Sequence, residues 1–352
     1  MANFIDYLQK KTISFNKDPL NEVDSLILSY LSYLHFTHIL GKVKIKDLDL
    51  KNNLHSIVKG SKKNIPLLKA LVENPRYQDI EIVFPKEDTN KELEKQFAAV
   101  TFLLPTNEMY ISFRGTDSTL IGWEEDFNMA FMLPVPSQKE ALNYTKKVTK
   151  LIPRNFYLGG HSKGGNLAVY AGSYIDSTLT KRLIKVYSYD GPGFIKEFLT
   201  GSNYQNIKEK IEKFVPSSSI IGMLLFANEH YTIIKSNEKG ILEHDPFSWL
   251  VDNNHFIILK KLNDGTAFTN KVINDFISSL SKKERKIFID SLFTVLKSTN
   301  LTTLDELSKN FVLKLPNIIN AIYNLDSVNK KYLFKTIKAL IISYLKNLKD
   351  LI

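Results

Sequence analysis

The segment Phe156-Tyr-Leu-Gly-Gly-His-Ser-Lys-Gly-Gly-Asn-Leu-Ala-Val-Tyr-Ala171 begins with the pattern of a strand and ends with that of a helix. Between them stands Gly160-His161-Ser162-Lys163-Gly164, a G-x-S-x-G. Such a turn places a serine at the apex of a strained strand-to-helix junction. Its small neighbours, here also Gly165 and Ala168, let adjacent backbone pass close by. The helix that follows aims its unpaired N–H groups at any negative charge developing beside the serine. A glycine-rich turn with a capping serine is the plain alternative.

Outward from this junction the chain alternates. A helix over about 137–152 precedes the strand Phe156–Gly159, and a helix over about 163–177 precedes the strand Ile184–Tyr189. A helix near 204–211 leads to Ile211–Val215, and a further strand covers Tyr231–Ser236. This rhythm predicts an α/β protein with a mostly parallel sheet covered on both faces. Upstream, Ile80–Phe84 alternates like a strand. The runs Ala98–Leu104 and Met109–Phe113 flank the short turn Pro105–Glu108 and predict an antiparallel hairpin. Val23, Leu26, Ile27, Tyr30, Leu31 and Leu34 recur at helical spacing, predicting an amphipathic helix opened by Asn21 or Pro19. Residues 267–352 show only helical patterns. The expected organisation is therefore a domain over 1–264, with an N-terminal helical segment 1–78, and a basic helical C-terminal region over 265–352.

The 352 residues include no cysteine, which excludes disulfides, thiolate metal sites and a cysteine nucleophile. The first residues, Met-Ala-Asn-Phe-Ile-Asp-Tyr, lack the basic and apolar regions of a secretory signal. No apolar run approaches the ~18 residues of a membrane span. A cytoplasmic location is expected, with peripheral membrane contact as a variant of it. The net charge is +10, and +7 of it falls in 261–352. That asymmetry suits an acidic partner or, more plainly, lysine-rich solvated helices. No nucleic-acid-binding module is recognisable.

A second informative segment is Ile111-Ser-Phe-Arg-Gly-Thr-Asp-Ser, followed by Trp123 and Asp126. Phe-Arg-Gly-Thr at a strand end, then Trp123-x-x-Asp126, then Gly-His-Ser-Lys-Gly-Gly-Asn-Leu-Ala, resembles the class 3, fungal triglyceride-type lipases. Asn21-Glu-Val-Asp-Ser-Leu and His244-Asp-Pro-Phe-Ser-Trp249 bring the chain nearest to a bacterial branch of these α/β-hydrolases. The resemblance covers roughly residues 20–260 and leaves the helical tail outside. It implies an α/β-hydrolase fold and carboxylic-ester hydrolysis. By motif position, Ser162 is the expected nucleophile. Thr116 is the expected oxyanion-hole residue, through its backbone N–H and its hydroxyl, with the N–H of Lys163 as second donor. Lys163 departs from the usual Leu, but only its backbone is required.

The fold's triad order places the base downstream of Ser162. His244, on a loop ended by Pro246, is the favoured position, ahead of His230 and His255. His161, inside the elbow, reads as structural. The class 3 lipases take their acid after the strand corresponding to Ile211–Val215, where this chain offers Pro216-Ser217-Ser218-Ser219 and no carboxylate. Asp190, in Tyr189-Asp-Gly-Pro-Gly-Phe194, is the alternative at the preceding strand's end, its plain reading being a turn residue. Glu229 and Asp245 stand in reserve. This chemistry requires no metal or organic cofactor.

The apolar segment Ile220–Ala227 lies close in sequence to the expected base. As a pocket wall, through Met223, Leu224 and Phe226, it would accept an acyl chain; as a core helix it would not. In the tail, Leu333, Ile337, Leu340, Ile341, Tyr344, Leu348 and Leu351 form one stripe, with lysines mostly beside it. Packing on residues 267–328 is the expected use of this stripe, contact of 329–352 with an anionic membrane the other. An acyl-ester hydrolase is the leading functional expectation. The rival is a catalytically silent module that binds lipid or protein through the tail.

Overall fold

The computed structural model describes residues 2–348 apart from Leu40, Gly60, Ser118, Asn228 and Thr302. Eight strands, β1 (Val43–Lys44), β2 (Glu81–Asn90), β3 (Lys95–Leu103), β4 (Met109–Phe113), β5 (Phe156–His161), β6 (Leu183–Tyr189), β7 (Ile211–Pro216) and β8 (Tyr231–Ile234), lie side by side in sequence order, with Ile258–Leu259 at the far edge. The pairs from β1 to β4 are antiparallel, including the expected hairpin of β3 and β4. From β4 to β8 every pair is parallel. The fold is the α/β arrangement with helices on both faces that the alternation predicts.

Side-chain alternation on β4 shows how the layers form. Met109, Ile111 and Phe113 enter the core under the helices Pro136–Leu151 and Lys163–Tyr174. Tyr110 and Ser112 point the other way, toward the helix Glu22–Tyr30: Tyr110 Oη lies 2.7 Å from both Ser25 Oγ and Ser29 Oγ, and Ser112 Oγ donates to the Ser29 carbonyl at 3.0 Å. The N-terminal segment thus covers this face of the central strands, with Trp249 and Phe256 packed on it toward β6 and β7. Its helix is opened by Asn21, whose side chain caps the first turn while Asp24 reaches back to the Asn21 N–H. Asp24 also holds a buried network, accepting from Tyr7 Oη at 2.9 Å, Tyr77 Oη at 2.5 Å and Arg76 Nε at 3.0 Å. The helix expected near 204–211 is shorter, Ser202–Gln205 followed by a single turn at Lys208–Lys210.

From Asp264 onward the described chain is helical: Asp264–Ser279, Lys282–Lys297, Leu304–Asn324 and Ser327–Leu348. In the last of these the expected packing of the apolar stripe holds at Leu333, which joins Val295 and Leu325, and fails for most of the rest. The buried positions are Leu333, Thr336, Ser343 and Asn347, while Ile337, Leu340, Ile341 and Tyr344 are exposed. Small polar residues let the helix lie close, with Ser343 Oγ donating to the Val272 carbonyl at 2.8 Å and Asn347 Nδ2 to Asp275 Oδ2 at 3.1 Å. The Leu348 side chain and Leu351 lie outside the described residues.

Candidate active site

The C-terminal ends of β4, β5, β6 and β7 converge, the place where α/β sheets gather functional groups. At the end of β5, Ser162 adopts φ 57° and ψ −133°, a conformation that costs a non-glycine residue about 1–3 kcal/mol. Two glycines make this turn possible. A Cβ on Gly164 would lie 2.1 Å from the Phe113 carbonyl oxygen, and one on Gly160 would lie 2.3 Å from the Gly164 carbonyl carbon. The Ser162 hydroxyl does not cap the helix it precedes. Lys163 opens that helix, so its N–H belongs to the first turn, which has no earlier carbonyl to bond.

Gly115, beyond the end of β4, lies against the elbow: a Cβ there would come within 3.0 Å of Ser162 Cβ. The Phe113–Thr116 backbone therefore lines the serine's flank. The Thr116 hydroxyl donates to Asp126 Oδ2 at 2.5 Å, which commits its proton to that carboxylate and leaves the backbone N–H as the group free to act as an oxyanion donor. Arg114 lies 3.5 Å from Glu87, which His35 also contacts at 2.7 Å, so Arg114 is a paired strand-end residue.

At the end of β6, Asp190 has φ 50° and is fully buried. Its Oδ2 lies 2.6 Å from His244 Nδ1, and its Oδ1 accepts from the Ser219 hydroxyl. The carboxylate thus fixes the tautomer of the neutral ring, with the proton on Nδ1 and the lone pair on Nε2. Ser162 and His244 line the same cavity of about 450 Å³, together with Thr116, Trp123 and Tyr33. His244 closes the one-turn helix Gly240–His244 ahead of Pro246.

Of the other sequence candidates, Asp245 lines the cavity that Ser162 and His244 share, and the rest lie elsewhere. His255 is exposed and bonds Glu22 at 2.6 Å. His230 lines a cavity with Glu22, Lys208 and Glu209, apart from Ser162. Glu229 accepts from Tyr204 Oη, and Asp245 pairs with Lys63.

Around the site stand His161, which the sequence reads as structural, and the partners Tyr33, Glu243 and Ser217–Ser218, which carry no signal in the sequence. His161 is buried, and burial together with the neighbouring His244 pushes its pKa well below the usual histidine value, so it is neutral. Its Nε2 lies 2.8 Å from the His244 carbonyl, which can only accept, so Nε2 bears the proton. Nδ1 then accepts from Tyr33 Oη at 3.1 Å. Tyr33 and His161 thereby hold the backbone of His244. Glu243, next to it, is held by Ser217 Oγ at 3.0 Å, Ser218 N at 2.7 Å and Ser218 Oγ at 2.8 Å. Ser217 and Ser218 after β7 thus anchor the loop of His244 through one carboxylate, that of Glu243.

Around the Lys163 side chain lies an ionic cluster. Lys163 Nζ is wholly buried, 3.0 Å from Glu125 Oε2, 2.9 Å from the Gln96 carbonyl and 3.8 Å from Asp126 Oδ1. Burial pushes the Asp126 carboxyl up to about 6, against the opposing pull of Lys163 and of the Thr116 hydrogen bond.

On the other side of Ser162 opens an apolar cavity of about 300 Å³. Leu224, Leu225, Ile220 and Ile221 line it, whereas Met223 and Phe226 do not: the Met223 carbonyl accepts from Asn274 Nδ2 at 2.9 Å and Phe226 pairs by backbone with Phe194. Its far wall is Ile273, Phe276 and Ile277 of Asp264–Ser279 with Phe288 and Ile289 of Lys282–Lys297. The first two helices of the C-terminal region therefore complete the site. This agrees with the extent of the family match, residues 71–294, to the model described as Mbeg1-like.

The chain belongs to the Mbeg1-like family.

The Mbeg1-like match starts later and ends later than the resemblance read over 20–260, and it takes in both cavity-walling helices. No curated protein matches the chain. Among solved structures it is similar to M37 lipase, with TM-score 0.38, 18% identity, and 55% of this chain against 66% of that one. It is also similar to the Rhizomucor miehei lipase propeptide complex, with TM-score 0.35, 17% identity, and 48% of this chain against 60% of that one. The match thus spans less than two thirds of each lipase chain.

Proposed function

We propose that this protein is a serine hydrolase that cleaves carboxylic acyl esters. The observation that carries the reading is the 2.6 Å contact of Asp190 Oδ2 with His244 Nδ1, beside a cavity that His244 shares with a strained Ser162. In this mechanism, His244 Nε2 removes the Ser162 proton as Oγ attacks the ester carbonyl. Asp190 keeps the imidazole oriented and stabilises its cation. The N–H groups of Thr116 and Lys163 receive the oxyanion; losing one such donor typically costs about 100- to 1,000-fold in rate. Collapse expels the alcohol, which takes its proton from His244, and leaves an acyl-Ser162. Water, deprotonated by the same imidazole, then releases the acid. The apolar cavity suits the acyl chain, and the cavity shared with His244 suits the alcohol side.

The test is labelling with a fluorophosphonate, which reacts only with an activated serine, alongside hydrolysis of p-nitrophenyl esters. Wild type is expected to label and Ser162→Ala to do neither while keeping its circular-dichroism spectrum. A folded wild type that stays unlabelled overturns the reading and favours a silent binding module.

A further inference from the structure

The helix Ser327–Leu348 presents its apolar side to solvent. Opposite its packed face, Phe334 is 60% exposed, Ile341 54% and Leu345 53%, with Ile337, Ile342 and Tyr344 exposed beside them. Nearby, Ile319 and Tyr323 of the preceding helix are exposed as well, and Lys330 stands over the Tyr323 ring at 5.1 Å. Contiguous apolar surface of this kind marks an interaction site. Its charge says with what. Residues 327–348 contain Lys330, Lys331, Lys335, Lys338 and Lys346 and no Asp or Glu. Lys335 and Lys346 reach Glu284 and Asp275 of the neighbouring helices, at the margin of the apolar face.

We propose that this face docks on an anionic lipid bilayer, with the helix lying in the plane of the interface. An apolar strip rimmed by lysines, whose long stems let the ammonium groups reach a headgroup layer, is the form such helices take. A second copy of this chain is a poorer occupant, because it would bring two regions of +7 together. The bilayer supplies the opposite charge. Docking there also places a lipid source beside the site. The docked helix rests on Asp264–Ser279 through Ser343 and Asn347, and that helix walls the apolar cavity at Ser162. The link to catalysis rests on the hydrolase reading; the docking itself does not.

The experiment is sedimentation of the full chain carrying Ser162→Ala with vesicles of phosphatidylglycerol and phosphatidylcholine, against phosphatidylcholine alone. Binding is expected to the anionic vesicles, weakened by salt, and to be at least tenfold weaker with phosphatidylcholine alone. Ile341→Glu with Leu345→Glu changes two exposed positions and is expected to lower binding at least tenfold without altering the fold. Lys331→Gln and Lys338→Gln are each expected to lower it about fivefold. Absence of binding to anionic vesicles at low salt overturns the proposal, as does a double variant that binds like wild type. So does a dimer in sedimentation equilibrium that the double variant dissociates, because that result assigns the face to a second copy. Because Ser162→Ala is used throughout, failure of the hydrolase reading leaves these outcomes unchanged.

Discussion

Ser219 donates its hydroxyl to Oδ1 of Asp190, while Oδ2 of the same carboxylate meets His244 Nδ1 at 2.6 Å. The loop after β7, which offers no carboxylate of its own between Pro216 and Ser219, thus contributes a hydrogen bond to the acid at the end of β6. Asp190→Asn is expected to lower kcat/KM by about 10⁴, because the amide turns the imidazole toward the wrong tautomer. Ser219→Ala is expected to cost far less, about tenfold, in line with one hydrogen bond to a charged group. Ester hydrolysis by the two variants checks this. A neutral Asp190→Asn paired with a crippled Glu229→Gln or Asp245→Asn means that the acid is elsewhere.

The limits of the sequence follow from distance along the chain. The elbow, the hairpin and the parallel strands are legible because each is a local pattern of period and turn chemistry. Asp190 and His244 are nameable for the same reason, as residues at strand ends and loop turns. Tyr33 on His161, Ser219 on Asp190 and Glu125 on Lys163 are contacts between segments that no local pattern links. The tail shows a different limit. Periodicity announces an apolar stripe on Ser327–Leu348, but small residues such as Ser343 decide which side packs. The cavity wall is hidden likewise, because Ile277 and Phe288 read as ordinary helix core.

Lys163, the residue after Ser162, forms a fully buried ion pair with Glu125. Glu125 also accepts from Gln96 N at 3.0 Å, Ser137 N at 2.8 Å and Ser137 Oγ at 2.7 Å, so it is held in place whether or not the lysine is there. Lys163→Leu then leaves a buried charge without its cation and is expected to destabilise the protein by about 3–5 kcal/mol. Adding Glu125→Gln removes the charge but turns an NH2 toward one of these backbone N–H groups, and is expected to recover only part of that loss. Urea denaturation of the single and double variants measures it. The folded fraction of Lys163→Leu is expected to keep its kcat within tenfold, since the backbone N–H is retained.

Asp126 gives the site a pH dependence of known sign. Its carboxyl is raised from 3.8 to about 6, so between these values the folded protein holds a proton that the unfolded chain releases. The stability this group contributes is complete below pH ~4 and is lost as pH rises through about 6. Asp126→Asn keeps an acceptor for the Thr116 hydroxyl and removes the titration. It is expected to flatten the stability profile between pH 4 and 7 and to gain on the order of 2 kcal/mol over wild type at pH 8. Denaturation midpoints at three pH values read this directly, and a wild type that gains stability from pH 5 to 7 relative to Asp126→Asn contradicts it.

The apolar cavity carries the last prediction, which concerns chain length. About 300 Å³ lies between Ser162 and the wall made by Ile273, Phe276, Ile277, Phe288 and Ile289, a space bounded by few polar groups besides Asp126 and Arg285. An acyl chain that fills it removes apolar surface from water at about 0.8 kcal/mol per methylene, or about fourfold in kcat/KM for each carbon that finds contact. Rates on p-nitrophenyl esters are therefore expected to climb from acetate through the medium-chain esters and to level off once the cavity is full. Ala130→Phe, on the near wall, shortens the space without touching Ser162, His244 or Asp190. It is expected to leave acetate hydrolysis within about threefold of wild type while lowering the rate on the best medium-chain ester at least tenfold. A medium-chain rate that Ala130→Phe leaves unchanged would mean that the acyl group lies in the other cavity, against Ile241 and Leu242.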